Sequence, residues 1–262
     1  LGIDGNAQAG CSLSFGMVEN DPGCKQAGRW SCSMTQAELA SRIDHTILKP
    51  ESAQAEVDKI VDEAIQYKFA SVCVAPIWVS HVARRLSGTG VLTCTVTSFP
   101  HGTSKSTVKA IEGSSSVKDG AQEVDVVAHL PYLARHDFEA AKAELTELVR
   151  ACRAVRPDVV VKVIVESAYL LSLGPEIGEK AIATACRAVR ESGCDFIKTS
   201  TGFHPAGGAS VAAVTLMKKY GNGISIKASG GIRDLPTAMA MLSAGADRLG
   251  LSASVTIVKA ML

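Results

Sequence analysis

The residues of this chain best suited to chemistry are two lysines 29 positions apart. Lys198 lies in Asp195-Phe196-Ile197-Lys198-Thr199-Ser200-Thr201-Gly202-Phe203, and Lys227 in Ser225-Ile226-Lys227-Ala228-Ser229-Gly230-Gly231-Ile232-Arg233. A free lysine with a pKa of about 10.4 is neutral in only about one molecule in two thousand at pH 7, so it attacks carbonyls poorly. A second ammonium about 6 Å away, at an effective dielectric near 20, repels it by about 2.8 kcal/mol, which favours the neutral form of one amine about a hundredfold. Desolvation acts in the same direction. One amine then stays charged while its neighbour becomes a nucleophile. Asp125, in Glu123-Val124-Asp125-Val126-Val127, offers a carboxylate that moves protons between water and a carbinolamine.

Such groups need a frame that brings them together. After a capping box at Thr35-Gln-Ala-Glu38 and a short helix to about Ser41, apolar strand-like runs alternate with helical ones. The runs are Arg42–Leu48, Ala70–Ala75, Leu92–Phe99, Glu123–Leu130, Val159–Ser167, Asp195–Thr201, Gly223–Ala228 and Arg248–Ser252. Between them lie helix-period stripes. One is Phe138, Ala141, Leu145, Leu148, Val149, Cys152 and Val155; another is Val57, Ile60, Val61, Ala64 and Ile65. Eight units of roughly 25 to 30 residues predict an α/β fold, a single (β/α)8 TIM barrel, with an open doubly wound sheet as the alternative.

In a barrel, one strand face meets the helices and the other fills the interior. Val161, Val163 and Val165 form an outward set, leaving Lys162, Ile164 and Glu166 inward; Glu123, Asp125, Val127 and His129 likewise oppose Val124, Val126 and Ala128. Ser225 and Lys227 share a face against Ile224 and Ile226. An isolated inward charge reads as a structural ion pair. Asp125, Lys198 and Lys227 together, near strand ends, read as an active site, because barrels build theirs at the C-terminal ends. Lysines on consecutive strands at matching heights lie about 5 to 7 Å apart. The glycine pair after Lys227, and Gly250-Leu251-Ser252 at the end of the last strand, sit where barrels often hold a phosphate.

Composition narrows the function classes. The chain has 262 residues, 47 % hydrophobic and only 5 % aromatic, which suits many parallel strands under helices. A formal charge of +1 gives no general field for nucleic acid or an anionic membrane surface. No apolar stretch approaches the ~20 residues that span a bilayer. Eight cysteines (Cys11, Cys24, Cys32, Cys73, Cys94, Cys152, Cys186 and Cys194) read as reduced thiols, the later ones buried, since a domain of this size needs no disulfide framework. They form no C-x-x-C pair, and neither they nor the six histidines show metal-ligand spacing, so no metal is expected and the histidines read as surface or packing residues. Residues 1–33 read as a flexible leader without the order of a secretory signal, an organellar address being the alternative, and 34–262 as the barrel domain.

At these residues the sequence resembles the deoxyribose-phosphate aldolases, class I enzymes that form a Schiff base. The resemblance is carried by Asp44-His45-Thr46-Ile47-Leu48-Lys49-Pro50, Ser71-Val72-Cys73-Val74, Phe99-Pro100-His101-Gly102, Glu123 to Val127, Lys162-Val163-Ile164-Val165-Glu166 and the two lysine segments, and it covers nearly all the chain after Ser41. It implies Lys198 as the Schiff-base nucleophile, Lys227 as its perturbing cation and Asp125 as the acid/base. It further implies phosphate contacts from Gly202, Gly230, Gly231, Gly250 and Ser252, and substrate-pocket roles for Asp44, Thr46, Cys73 and Thr201. Lys162 and Glu166 read equally as site residues or as a structural ion pair supporting the site.

The implied reaction is reversible cleavage of 2-deoxy-D-ribose 5-phosphate to acetaldehyde and D-glyceraldehyde 3-phosphate, a cytoplasmic step of nucleoside catabolism needing no metal or cofactor. Its partners are a phosphosugar and an aldehyde, and a homodimer is an ordinary assembly for such enzymes. Departures from the family pattern fall near the site. Ala75 and His129 stand where asparagine is usual, Ala253 where a second serine is common and His204 where glycine is frequent, while Pro131 stiffens the loop after strand four. They bear on the acceptor aldehyde and phosphate affinity, and leave two alternatives: a related lysine aldolase with another donor or acceptor, or an inactive barrel that binds a phosphosugar.

Overall fold

The computed structural model describes residues 34–261, so the expected leader, with Cys11, Cys24 and Cys32, lies outside the described residues. Both bonds of the predicted capping box form: the Glu38 amide donates to Oγ1 of Thr35 at 3.2 Å, and the Thr35 amide donates to Oε2 of Glu38 at 2.6 Å. They start α1 (Gln36–Ala40). The chain then runs β1 (Ile43–Ile47), α2 (Gln54–Tyr67), β2 (Ser71–Val74), a 3-10 turn (Pro76–Trp78), α3 (Val79–Leu86), β3 (Leu92–Thr97), α4 (Ser106–Lys118), β4 (Glu123–Val127), α5 (Leu130–Ala134), α6 (Phe138–Val155) and β5 (Val160–Ile164). It continues through α7 (Ser167–Ser172), α8 (Pro175–Glu191), β6 (Phe196–Lys198), α9 (Val211–Gly221), β7 (Ser225–Ser229), α10 (Leu235–Ser243), β8 (Arg248–Leu251) and α11 (Ser254–Lys259).

All eight predicted strands are present, all neighbours are parallel, and β8 pairs with β1 to close the sheet. This is the (β/α)8 barrel expected from the repeating units, and closure leaves no strand edge unpaired. Strand parity also holds. Val124, Val126, Val161, Val163 and Val165 are buried and share one cluster with Leu145, Leu148 and Ile182 of the surrounding helices. Burying each such aliphatic side chain stabilises the fold by about 1.5–3 kcal/mol. The alternate positions Glu123, Asp125 and Lys162 are as deeply buried, but on the interior side.

The helical stripes are met except at their margins. Ala141, Leu145, Leu148, Val149 and Cys152 of α6 are buried, as are Val57, Ile60, Val61 and Ala64 of α2, whereas Val155 and Ile65 are each 37 % exposed. Ile65 follows Ala64 directly and so turns about 100° off the buried face. Two strand expectations overran. Pro131 does not stiffen a loop; it sits in the first turn of α5, where its fixed φ suits helix entry. Glu166 is not a strand residue, for it adopts φ +49° and hands the chain to α7. Cys73, Cys94, Cys152, Cys186 and Cys194 are free and buried, and no described helix is long and apolar enough to cross a membrane.

Candidate active site

Lys198 is the last residue of β6, and Lys227 is its register partner on β7, so two amines that share the interior parity stand level. Asp125 reaches in from the middle of β4 and receives both: Nζ of Lys198 and Nζ of Lys227 each donate to its Oδ2 at 2.7 Å. The two nitrogens are therefore separated by no more than twice that length, inside the upper limit of about 7 Å that neighbouring strands set. Asp125 also takes a third amine, Lys162 of β5, on Oδ1 at 2.9 Å. Lys162 donates as well to Oε2 of Glu123 at 2.6 Å. Of the two readings of Lys162 and Glu166, the ion pair between them does not form. Instead, Oε1 of Glu166 accepts the Thr201 amide at 2.8 Å, because its left-handed backbone carries that side chain to the turn after β6.

The network extends across the barrel floor. Asp44 of β1 contacts Lys227, accepts from Nη1 of Arg248 at 2.6 Å, and accepts from Oγ of Ser71 at 2.7 Å. Arg248 also donates to Glu123 at 3.2 Å. Four cations (Lys162, Lys198, Lys227 and Arg248) thus face three carboxylates (Asp44, Glu123 and Asp125), leaving one positive charge unmatched. Burial alone would raise the Asp125 carboxyl, but Lys162, Lys198 and Lys227 outweigh it and hold it well below the usual carboxylate range. Burial would also lower Lys227, yet Asp125 and Asp44 outweigh it and raise that amine above its ordinary value, so Lys227 stays cationic at neutral pH. Lys162 is raised against burial in the same way, chiefly by Asp125.

Above the network opens a pocket of about 860 Å³ at the C-terminal strand ends. Of the residues singled out from sequence, Lys198, Thr46, Thr201, Gly202, Gly230, Gly231, Gly250 and Ser252 line it. Asp44, Cys73, Asp125 and Lys227 do not; they are fully buried beneath it. The glycines are there for close approach as much as for exposed amides. Gly202 and Gly230 have φ of +84° and +89°, and a Cβ on Gly230 would come within 3.2 Å of the Gly202 Cα. A Cβ at Gly250 would lie 3.0 Å from Cε of Lys227, so this glycine clears space for that side chain.

Cys73 is placed with Cys94, its register partner on β3, and not at the pocket wall. Both sulfurs and an Asp125 oxygen lie within 4.8 Å of one another, a set of ligand atoms that sequence spacing did not show because it comes from three strands. The ammonium groups already face these atoms: Nζ of Lys162 is 3.5 Å from the Cys94 sulfur. A hydrogen bond from Cys94 lowers the Cys73 thiol, with Lys227 adding to it against the effect of burial. Sequence reasoning missed Arg248 and did not join Glu123 and Lys162 to the lysine pair. Strand parity was the available signal, and it placed Glu123 and Lys162 inward without saying which charge they meet.

A closed barrel with interior lysines under a pocket at its C-terminal face is the architecture of a barrel enzyme, and the comparisons agree. Residues 39–257 match the DeoC/LacD family of aldolases. The deoxyribose-phosphate aldolase of Thermoanaerobacter sp. (strain X514) is 44 % identical over 222 residues, which is 84 % of this chain and 96 % of that protein. That of Mycobacterium avium (strain 104) is 44 % identical over 219 residues, 83 % of this chain and 94 % of the relative. Among solved structures, an aldolase called QR15 superposes with a TM-score of 0.76 at 38 % identity, covering 85 % of this chain and 95 % of its own. The deoxyribose phosphate aldolase of Aeropyrum pernix, described as a tetramer, gives 0.77 at 32 %, covering 86 % and 92 %. The chain belongs to the DeoC/LacD aldolase family. It is a carbon–carbon lyase.

Proposed function

We propose that the chain cleaves 2-deoxy-D-ribose 5-phosphate reversibly to acetaldehyde and D-glyceraldehyde 3-phosphate, with Lys198 as the Schiff-base nucleophile. The observation that carries this reading is the single Asp125 oxygen shared at 2.7 Å by Lys198 and Lys227 directly under the pocket. Unloading one proton from the cluster makes it neutral, and Lys198 is the amine with the fewest counter-charges. It touches one carboxylate, whereas Lys227 touches two and Lys162 three, and it alone of these amines lines the pocket.

In cleavage, the neutral Lys198 amine adds to the aldehyde carbon of the open-chain sugar, and Asp125 relays the protons that convert the carbinolamine to a protonated imine with loss of water. Loss of the C3 hydroxyl proton breaks the C2–C3 bond. Glyceraldehyde 3-phosphate departs, and the bonding pair moves through the new enamine to the imine nitrogen. Protonation of the enamine carbon and hydrolysis then release acetaldehyde and return the amine. The imine is the electron sink, and Lys227 keeps the returning amine from holding an extra proton. Gly202, Gly230, Gly231, Gly250 and Ser252, all on the pocket wall, receive the phosphate end, and Thr46 and Thr201 flank the sugar.

Borohydride reduction in the presence of acetaldehyde, followed by peptide mass mapping, is expected to place an ethyl adduct on Lys198 and none on Lys198→Ala, while deoxyribose 5-phosphate yields glyceraldehyde 3-phosphate. No adduct at Lys198 would overturn the assignment. An adduct without cleavage would replace the acceptor aldehyde.

A further inference from the structure

One buried ionisable group in the pocket lining has no part in these steps. His45 follows Asp44 along β1, so its side chain faces the helices where Asp44 faces the interior. It is 2 % exposed, and its ring lies 5.1 Å from that of Phe69. Both ring nitrogens are engaged. Nε2 is 2.8 Å from Oε2 of Glu63 on α2, and Nδ1 is 2.9 Å from Oγ of Ser254 in the first turn of α11. The Ser254 hydroxyl also lies 3.2 Å from the carbonyl of Leu251, which ends β8 and is the register partner of His45.

The ring is therefore a rigid strut between α2 and the turn Leu251-Ser252-Ala253-Ser254. Its ring meets the turn at Ser254 and its strand position pairs with Leu251, while Ser252 and Ala253 between them line the pocket. An apolar side chain of similar size would fill the same space but could fix neither the Glu63 end nor the Ser254 end. Turn position matters here, because recognising a phosphate by main-chain and hydroxyl donors requires them within a few tenths of an ångström of hydrogen-bonding distance. Burial lowers the pKa of the ring, and Glu63 opposes that.

We propose that His45 is a positioning residue for the phosphate end of the substrate: anchored by Glu63, it sets through Ser254 the turn that presents Ser252 to the phosphoryl group. The identity of that substrate rests on the aldolase reading above, but the positioning of an anion does not.

The test uses the full chain and inorganic phosphate as the probe. Phosphate affinity is measured by titration calorimetry on the unaltered protein, His45→Leu and His45→Gln, alongside kcat and KM for 2-deoxyribose 5-phosphate and for unphosphorylated 2-deoxyribose. His45→Leu is expected to weaken phosphate about tenfold and raise KM for the phosphorylated sugar similarly. Its kcat, and its kcat/KM on the unphosphorylated sugar, should stay within twofold. His45→Gln, which keeps a donor toward Glu63, is expected to recover at least threefold of the lost affinity.

Equal phosphate affinity in the unaltered protein and His45→Leu would overturn the proposal, as would an equal loss on both sugars or absence of phosphate binding in the unaltered protein. Should His45→Leu fail to fold, Ser254→Ala cuts the strut at its other end and is read by the same comparison. A protein that binds phosphate in a His45-dependent manner yet cleaves neither sugar would sink the aldolase reading and support this one.

Discussion

Replacing Lys227 by leucine tests the electrostatic account directly. Lys198 and Lys227 each sit 2.7 Å from the same oxygen, so their nitrogens are at most twice that apart. Two unit charges about 5 Å apart at an effective dielectric near 20 repel by about 3 kcal/mol. Leucine removes this repulsion, and it also frees Asp125 to hold the Lys198 ammonium more tightly, so both effects favour the charged and unreactive amine. At 1.36 kcal/mol per tenfold, kcat/KM near neutrality is expected to fall about a hundredfold. The sign of the pH effect follows. A stabilised ammonium survives to higher pH, so the acid limb of the pH–rate profile moves up by about two pH units and activity returns as the solution becomes more basic. Glyceraldehyde 3-phosphate release between about pH 6 and 10 reads the limb, and borohydride trapping over the same range reads the amine itself. A variant slowed equally at every pH, with the limb unmoved, would refute the repulsion argument and leave Lys227 a contact residue.

Lys162→Met strands a buried Glu123 oxygen and the Oδ1 of Asp125 without their ammonium partner. Breaking such a pair from one side is expected to cost about 3–5 kcal/mol in urea unfolding, and adding Glu123→Gln should recover part of it; a loss under about 1 kcal/mol would mean that water replaces the amine. Gly208→Ala would place a Cβ against the Gly230 carbonyl at a position whose φ carries no left-handed strain, so its effect is contact alone. The displaced Gly230 turn should raise KM for the phosphorylated substrate about tenfold, at a stability cost of about 1–3 kcal/mol by thermal unfolding. An unchanged KM would detach this loop from phosphate binding.

How much was legible in the sequence follows from the range of the forces involved. Period-two alternation in Glu123 to Ala128 is a local property, and it assigned inside and outside correctly. The Lys198–Lys227 match needed only neighbouring strands and similar unit lengths, so it too was readable. Glu166 was not, because a strand pattern does not reveal the residue at which the backbone turns left-handed, and that turn decides whether the carboxylate meets Lys162 or the Thr201 amide. The convergence of Asp44, Glu123, Lys162 and Arg248 was hidden for a different reason. Some of their contacts cross the barrel between strands that are not neighbours, Arg248 to Glu123 and Lys162 to Asp44, and only the stagger of the closed sheet sets their heights.

That hidden part changes the physical argument about reactivity. Two lysines alone explain why one of them should be neutral, but not which, since repulsion is symmetric. The carboxylates break the symmetry. Lys162 is clamped by three of them and Lys227 by two, while Lys198 meets Asp125 alone and stands nearest the pocket. On the proposed assignment, the nucleophile is the cation with the fewest counter-charges in a cluster that carries one cation too many. On that assignment the lysine motif places an amine at the strand end, and residues on five other strands decide that it is the one to react.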